Sequence, residues 1–98
     1  MNQRLVIRPP AEVDLSEARD WYEAQRPGLG SEFLTAVDEC FERIIEFPES
    51  SAVEYKGVRP AGLRRFPYVV YYRLTDEASE ILAVLHGGRN PRVWRTRV

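Results

Sequence analysis

The sequence predicts a small α+β fold in which an N-terminal strand and an antiparallel helical hairpin pack on a four- to five-stranded, mainly antiparallel sheet. Three observations carry this. Apolar residues recur at helical spacing through the first half of the chain and at extended spacing through the second. Proline and glycine stand where the two periods meet or break. A chain of 98 residues, 44% hydrophobic and 30% charged, has room for one core, so residues 1–98 are read as a single domain.

The elements follow in order. Arg4-Leu5-Val6-Ile7-Arg8 is short, β-branched at its centre and stopped by Pro9-Pro10, which predicts a first strand. Pro10 suits a first helical turn, and Glu12 and Asp14 follow where the helix dipole favours negative charge. Ala11, Leu15, Ala18 and Tyr22 fall on one stripe of that helix, with Trp21 at its edge. Arg26-Pro27-Gly28 ends it. A second helix is predicted from about Leu29 to Phe47, with Phe33, Leu34, Val37, Phe41, Ile44 and Ile45 making a broader apolar face, and Pro48 ends it. The short connection at Pro27-Gly28 makes the pair antiparallel. Beyond Ser51 the spacing becomes extended. Val53 to Arg59 and Leu63 to Phe66 are predicted as short strands around Gly57 and Pro60-Ala61-Gly62, and Tyr68 to Leu74 as a longer one. Ile81-Leu82-Ala83-Val84-Leu85 is apolar on both faces, as a central strand covered on each side would be. A basic tail follows, from Gly87-Gly88 to Val98.

Charge separates the same two halves. Residues 1–54 carry five arginines against twelve acids, a balance of -7, and residues 55–98 carry nine basic groups against three acids, a balance of +6. Of the 14 basic residues only Lys56 is a lysine. Arginine's planar fork suits bidentate recognition of phosphate or carboxylate, so an anionic partner for the second half is one reading, and mutual neutralisation of the halves is the other.

Several classes of chemistry are set aside. One cysteine, Cys40, allows no intrachain disulfide, and it is expected to be a small buried hydrophobe on the second helix. One histidine, His86, has no carboxylate pair at ligand spacing, so no metal site is expected. Gly28-Leu29-Gly30 is turn chemistry rather than a phosphate loop. Met1-Asn2-Gln3-Arg4 does not open a signal peptide, no run reaches the roughly 20 apolar residues of a membrane span, and a cytosolic location is expected.

Two stretches carry candidate chemistry. Leu63-Arg64-Arg65-Phe66-Pro67-Tyr68-Val69-Val70-Tyr71-Tyr72-Arg73 interleaves arginine with aromatic groups, either as a nucleic-acid surface or as core aromatics beside a solvated edge. Leu85-His86-Gly87-Gly88-Arg89-Asn90-Pro91-Arg92-Val93-Trp94 sets a histidine at a strand end before a cluster of cations around one indole. His86 is either a proton carrier or a satisfied structural residue.

Asp14-Leu15, Ala18, Trp21-Tyr22, Gly28-Leu29-Gly30, Phe33-Leu34, Pro48, Gly57-Val58-Arg59, Tyr68-Val69-Val70-Tyr71-Tyr72-Arg73 and Val84-Leu85-His86, taken in order, resemble the RelE/ParE toxin superfamily. The resemblance covers nearly the whole chain. It implies a toxin of a type II toxin–antitoxin operon, held silent by a cognate antitoxin. The superfamily divides into RelE-type, ribosome-dependent mRNA endonucleases and ParE-type DNA gyrase inhibitors. RNase members carry an arginine where this chain has Val69, and valine cannot stabilise a developing phosphorane charge. Trp94 stands where they carry a tyrosine, and an indole N–H only donates. The ParE-like reading is therefore preferred: gyrase is inhibited by binding, no cofactor is needed, and Arg64, Arg65, Arg89, Arg92, Trp94, Arg95 and Arg97 form the working surface, with the antitoxin over the sheet and hairpin groove. The alternative is a RelE-like enzyme acting on mRNA at the ribosome, with His86 as acid or base and Arg65 and Arg89 on phosphate. A third reading is an antitoxin-binding module without toxicity.

Overall fold

The computed structural model describes residues 4–98, so the reading of Met1-Asn2-Gln3 lies outside the described residues. The elements are β1 (Arg4–Ile7), α1 (Pro9–Gln25), α2 (Leu29–Glu46), β2 (Val58–Gly62), β3 (Tyr68–Leu74), β4 (Ala78–His86) and a one-turn helix α3 (Arg92–Arg95). The strands form one mixed sheet in the order β1-β4-β3-β2, with β1 parallel to β4 and the other pairs antiparallel. This is the α+β architecture that the change of period predicts.

The hairpin forms for local reasons. Pro9 and Pro10 occupy the first turn of α1, where missing N–H groups cost nothing. Ala11 and Ala18 are buried, and Leu15 and Tyr22 pack against the core beside them. Gly28, at φ 91°, makes the turn into α2. The Glu23 carboxylate accepts hydrogen bonds from the N–H groups of Gly28 at 3.0 Å and Gly30 at 3.0 Å, satisfying donors that the start of α2 leaves open. Those bonds hold the carboxyl below its ordinary titration range. At Gly30 the helices approach too closely for a side chain, since a Cβ there would lie 2.9 Å from the Arg19 carbonyl oxygen on α1. Phe33, Val37 and Ile44 of α2 are buried as the apolar face predicts, and Leu34 and Phe41 are partly buried against them. Cys40 is the small buried residue expected of it, with burial raising its thiol pKa. Ile45 departs from the prediction and faces outward.

β4 lies between two apolar clusters. Ile81 and Val84 join the hairpin side with Phe33, Val37, Ile44, Val70 and Tyr72. Leu82, Ala83 and Leu85 join the opposite side with Val58 and Trp94. Two neighbours share a face because the ladder slips: Tyr71 pairs with Ala83 and Tyr72 with Ile81, which leaves Leu82 as a bulge. The expected covering of the second face is thus supplied by the tail.

The segment between α2 and β3 corrects the strand boundaries. Residues 53–57 do not form a strand, because Lys56 (φ 46°) and Gly57 (φ 80°) make a turn that starts β2 at Val58. The expected break at Pro60-Ala61-Gly62 lies inside β2. Proline fits because β2 is the edge strand, with one side free of ladder bonds. Residues 63–67 form a loop instead of the expected strand, since Phe66 turns inward to meet Tyr22 at 4.9 Å and Phe33 at 5.4 Å. No helix among the described residues is long and apolar enough to cross a membrane.

Candidate functional site

The C-terminal end of β4 borders one depression, and the tail that follows it borders a second. The first, of about 550 Å³, is walled on one side by Asp14, Glu17 and Trp21 of α1 and on the other by Tyr68, His86 and Arg89. His86 is exposed and its ring meets the edge of Tyr68 at 5.7 Å. The Gly88 N–H donates to His86 Nδ1 at 2.9 Å, so neutral imidazole carries its proton on Nε2 and presents a donor to the cavity. Burial raises the Tyr68 hydroxyl pKa against the pull of the Arg89 charge, and burial likewise raises Tyr22 beside it. Both phenols are therefore neutral donors at physiological pH.

Asp14, in the α1 wall of this cavity, is the feature that periodicity misses. It lies beyond the first turn of α1, is buried, and meets Arg97 in a bidentate pair at 2.7 and 3.1 Å. The Val84 N–H donates to Asp14 Oδ2 at 3.0 Å, and Arg97 Nη1 donates to the Leu82 carbonyl at 3.0 Å. The last β1–β4 pair is Ile7 with Ile81. Asp14 and Arg97 therefore satisfy the edge of β4 where β1 has ended, and join α1, the sheet and the tail at one point.

The second depression, of about 560 Å³, lies between Tyr55 and the tail, where Asn90, Arg92, Arg95 and Thr96 line it. Below it Trp94 is buried, stacked on Tyr71 at 4.5 Å and 18°. Burial, with the nearby Glu54 charge, raises the Tyr71 hydroxyl pKa.

The surface expected from sequence is accordingly divided. His86 and Arg89 come together in the first cavity. Arg92 and Arg95 come together in the second. Arg65 joins neither: it sits at φ 71° in the loop before β3 and pairs with Glu32 of α2 at 3.0 Å. Arg64 is exposed in that same loop. Two expected surface residues are internal, since Trp94 is buried under the tail and Arg97 is neutralised by Asp14. Tyr55, which sequence alone did not single out, forms a wall of the second depression. Its one signal was an aromatic residue beside the single lysine, before the Gly57 turn.

The profile of the family described as "ParE toxin of type II toxin-antitoxin system, parDE" matches residues 5–91. Toxin ParE2 of Mycobacterium tuberculosis, from strains CDC 1551 / Oshkosh and ATCC 25618 / H37Rv, is 40% identical over 99 residues, spanning 100% of this chain and 94% of the relative. Among solved structures, a chain of the chromosomal ParDE TA system from P. aeruginosa shares the fold. It has a TM-score of 0.76 at 22% identity and covers 86% of this chain and 95% of that one.

Proposed function

This chain belongs to the ParE toxin family of type II toxin–antitoxin systems, and from that premise we propose that it inhibits DNA gyrase by binding, and that its cognate antitoxin relieves the inhibition. One observation carries the choice of a binding toxin over an endonuclease. Arg65, which a phosphate-cleaving centre would need beside His86, is tied to Glu32 across the hairpin loop and does not line the cavity of His86. Two further features support it. The backbone bond to Nδ1 leaves His86 a donor where a general base would have to accept. Val69 offers no charge to a phosphorane. Among the described residues the tail's Arg89, Arg92 and Arg95 make no salt bridge, and the depression that Arg92 and Arg95 line holds no acid, as a surface for an anionic target requires.

The test uses purified toxin, gyrase and plasmid DNA. Supercoiling should fall, or cleaved DNA–gyrase complexes accumulate, as toxin approaches equivalence with the enzyme. Full gyrase activity at a stoichiometric excess overturns the reading.

A type II toxin has an antitoxin as its partner. Docking over the sheet and hairpin groove is supported by the exposed Val13 and Trp21 on α1, the latter at the mouth of the His86 cavity. Trp21→Ala should weaken binding to the cognate antitoxin without changing the melting temperature, and unchanged affinity would move the contact elsewhere. The grouping of His86, Arg89 and Tyr68 favours a second reading, the mRNA endonuclease. Under it, messages on translating ribosomes are cut, and His86→Ala abolishes the cuts. Intact messages during toxin-induced arrest reject it.

A further inference from the structure

Arginines of this chain repeatedly find a carboxylate: Arg19 with Asp20, Arg26 and Arg65 with Glu32, Arg73 with Glu80, and Arg97 with Asp14. The groove beside Tyr55 is different. Arg92 and Arg95 line it, and no acidic residue does.

Arg95 is held as a recognition group would be. Its guanidinium lies 4.8 Å from the centre of the Tyr55 ring and 5.3 Å from that of Trp94. Its Nε is buried without a hydrogen-bond partner. Trp94 is itself clamped on Tyr71, so the platform under the guanidinium belongs to the core. Fixing a long side chain during folding removes much of the entropic cost of fixing it on binding. Arg92 precedes it by one turn of α3 and is exposed. Asn90 Oδ1 accepts the Arg92 N–H at 2.9 Å, which leaves the Asn90 amide nitrogen as a further donor at the rim.

We propose that the groove between Tyr55 and α3 is a phosphate site, in which Arg92 and Arg95 hold one phosphodiester of DNA. The non-bridging oxygens of a tetrahedral phosphodiester can each take a different guanidinium fork and still accept from a neutral amide. A carboxylate can also take two forks, as Glu32 does with Arg26 and Arg65. The choice of phosphate therefore rests on the gyrase reading, in which the target carries DNA, and the polyglutamate arm of the test separates the two. The toxin then touches the DNA that gyrase handles and not the enzyme alone. This inference deepens the gyrase reading and rests on it for its biological setting, but it is measured without gyrase.

The experiment is fluorescence anisotropy of the toxin with a short labelled DNA duplex across a salt series. Binding should weaken as salt rises, and Arg92→Gln should lower affinity about tenfold at low salt and reduce the log–log salt slope by roughly one. Arg95→Lys keeps the charge but loses the planar fork and its stacking on Tyr55 and Trp94, and should weaken binding at a temperature where circular dichroism shows the variant fully folded. Arg19→Gln, on α1, should leave the slope as it is. No DNA binding by the wild-type chain overturns the inference, as does an unchanged slope in Arg92→Gln. Preference for polyglutamate over DNA, lost in Arg92→Gln, overturns it in favour of an acidic protein partner. Gyrase inhibition without DNA binding rejects this groove and keeps the gyrase reading. DNA binding through Arg92 without gyrase inhibition rejects the gyrase reading and keeps the groove.

Discussion

The two faces of β4 are both buried, yet they are held by different means. On the hairpin face, α1 and α2 contribute a continuous set of apolar and aromatic contacts, and rings from Tyr22, Phe33, Phe66 and Tyr68 interlock with centroids 4.9 to 5.9 Å apart. On the tail face, the covering comes from Trp94 and its neighbours Val93 and Val98, secured by the Asp14–Arg97 pair. The first arrangement is redundant and the second depends on a few groups. A face held this way can carry exposed arginines on its outer side, because the anchoring groups point inward and leave the rest of the tail free for solvent.

Removing the tail's anchor should have the largest effect. Trp94→Ala is expected to cost about 3–5 kcal/mol, through lost transfer free energy and the cavity left between Tyr71 and Tyr55. Urea unfolding followed by far-UV circular dichroism reads that loss, and the contrast between the faces is read with Trp94 retained, since Trp21 is exposed and Trp94 is buried. In a Trp21→Phe background, the blue-shifted emission of Trp94 should move to the red at lower denaturant than far-UV circular dichroism changes. Coincident transitions would mean that the two faces unfold as one unit and that the contrast between them is thermodynamically empty.

Asp14→Ala should cost about 3 kcal/mol, because it strands the largely buried Arg97 guanidinium and orphans the Val84 N–H. Adding Arg97→Met should recover part of that loss, since the unpaired cation is then gone. A double variant as unstable as the sum of the singles would show that the pair is not coupled.

On the hairpin face the corresponding weak point is the helix crossing. Gly30→Ala brings a methyl group to 2.9 Å from both the Arg19 carbonyl oxygen and Glu23 Oε1, so α1 and α2 must separate. A loss of about 2 kcal/mol is expected by urea unfolding. A neutral result would show that the hairpin adjusts without cost.

The smallest effect concerns pH. Glu23 has its folded-state pKa depressed by the N–H groups of Gly28 and Gly30. Its contribution is therefore present above the ordinary glutamate value of 4.5 and is lost as pH falls through the lower folded value. Glu23→Gln should flatten that acid limb of the melting-temperature profile and leave the neutral region little changed. An unaltered acid limb would assign the titration to another carboxylate.

Much of the hairpin face was legible in advance, because its information is periodic. Ala11, Leu15, Ala18 and Tyr22 mark the core side of α1 by spacing alone, as Phe33, Val37, Phe41 and Ile44 do for α2. The residues 81–85 likewise announce a central strand by being apolar at consecutive positions. The strand limits around Pro60 are not legible locally: proline and glycine read as breaks, yet Pro60, Ala61 and Gly62 lie inside β2. A sheet edge tolerates both, and which strand is the edge is not a local property.

By itself the sequence determined the order of elements, the core faces of both helices, the helical turn at Gly28 and the opposite charge of the two halves. Each depends on neighbours within a few residues, where backbone geometry repeats. Only the tertiary structure decided which cations are free. Arg97 meets a carboxylate 83 positions away because β4 outruns β1 and leaves backbone groups for Asp14 and Arg97 to satisfy. Trp94 goes inward because the bulge at Leu82 turns two adjacent apolar side chains toward the tail. With those two residues internal, the basic tail becomes a groove with Arg92 and Arg95 on one side and a cavity with His86 and Arg89 on the other.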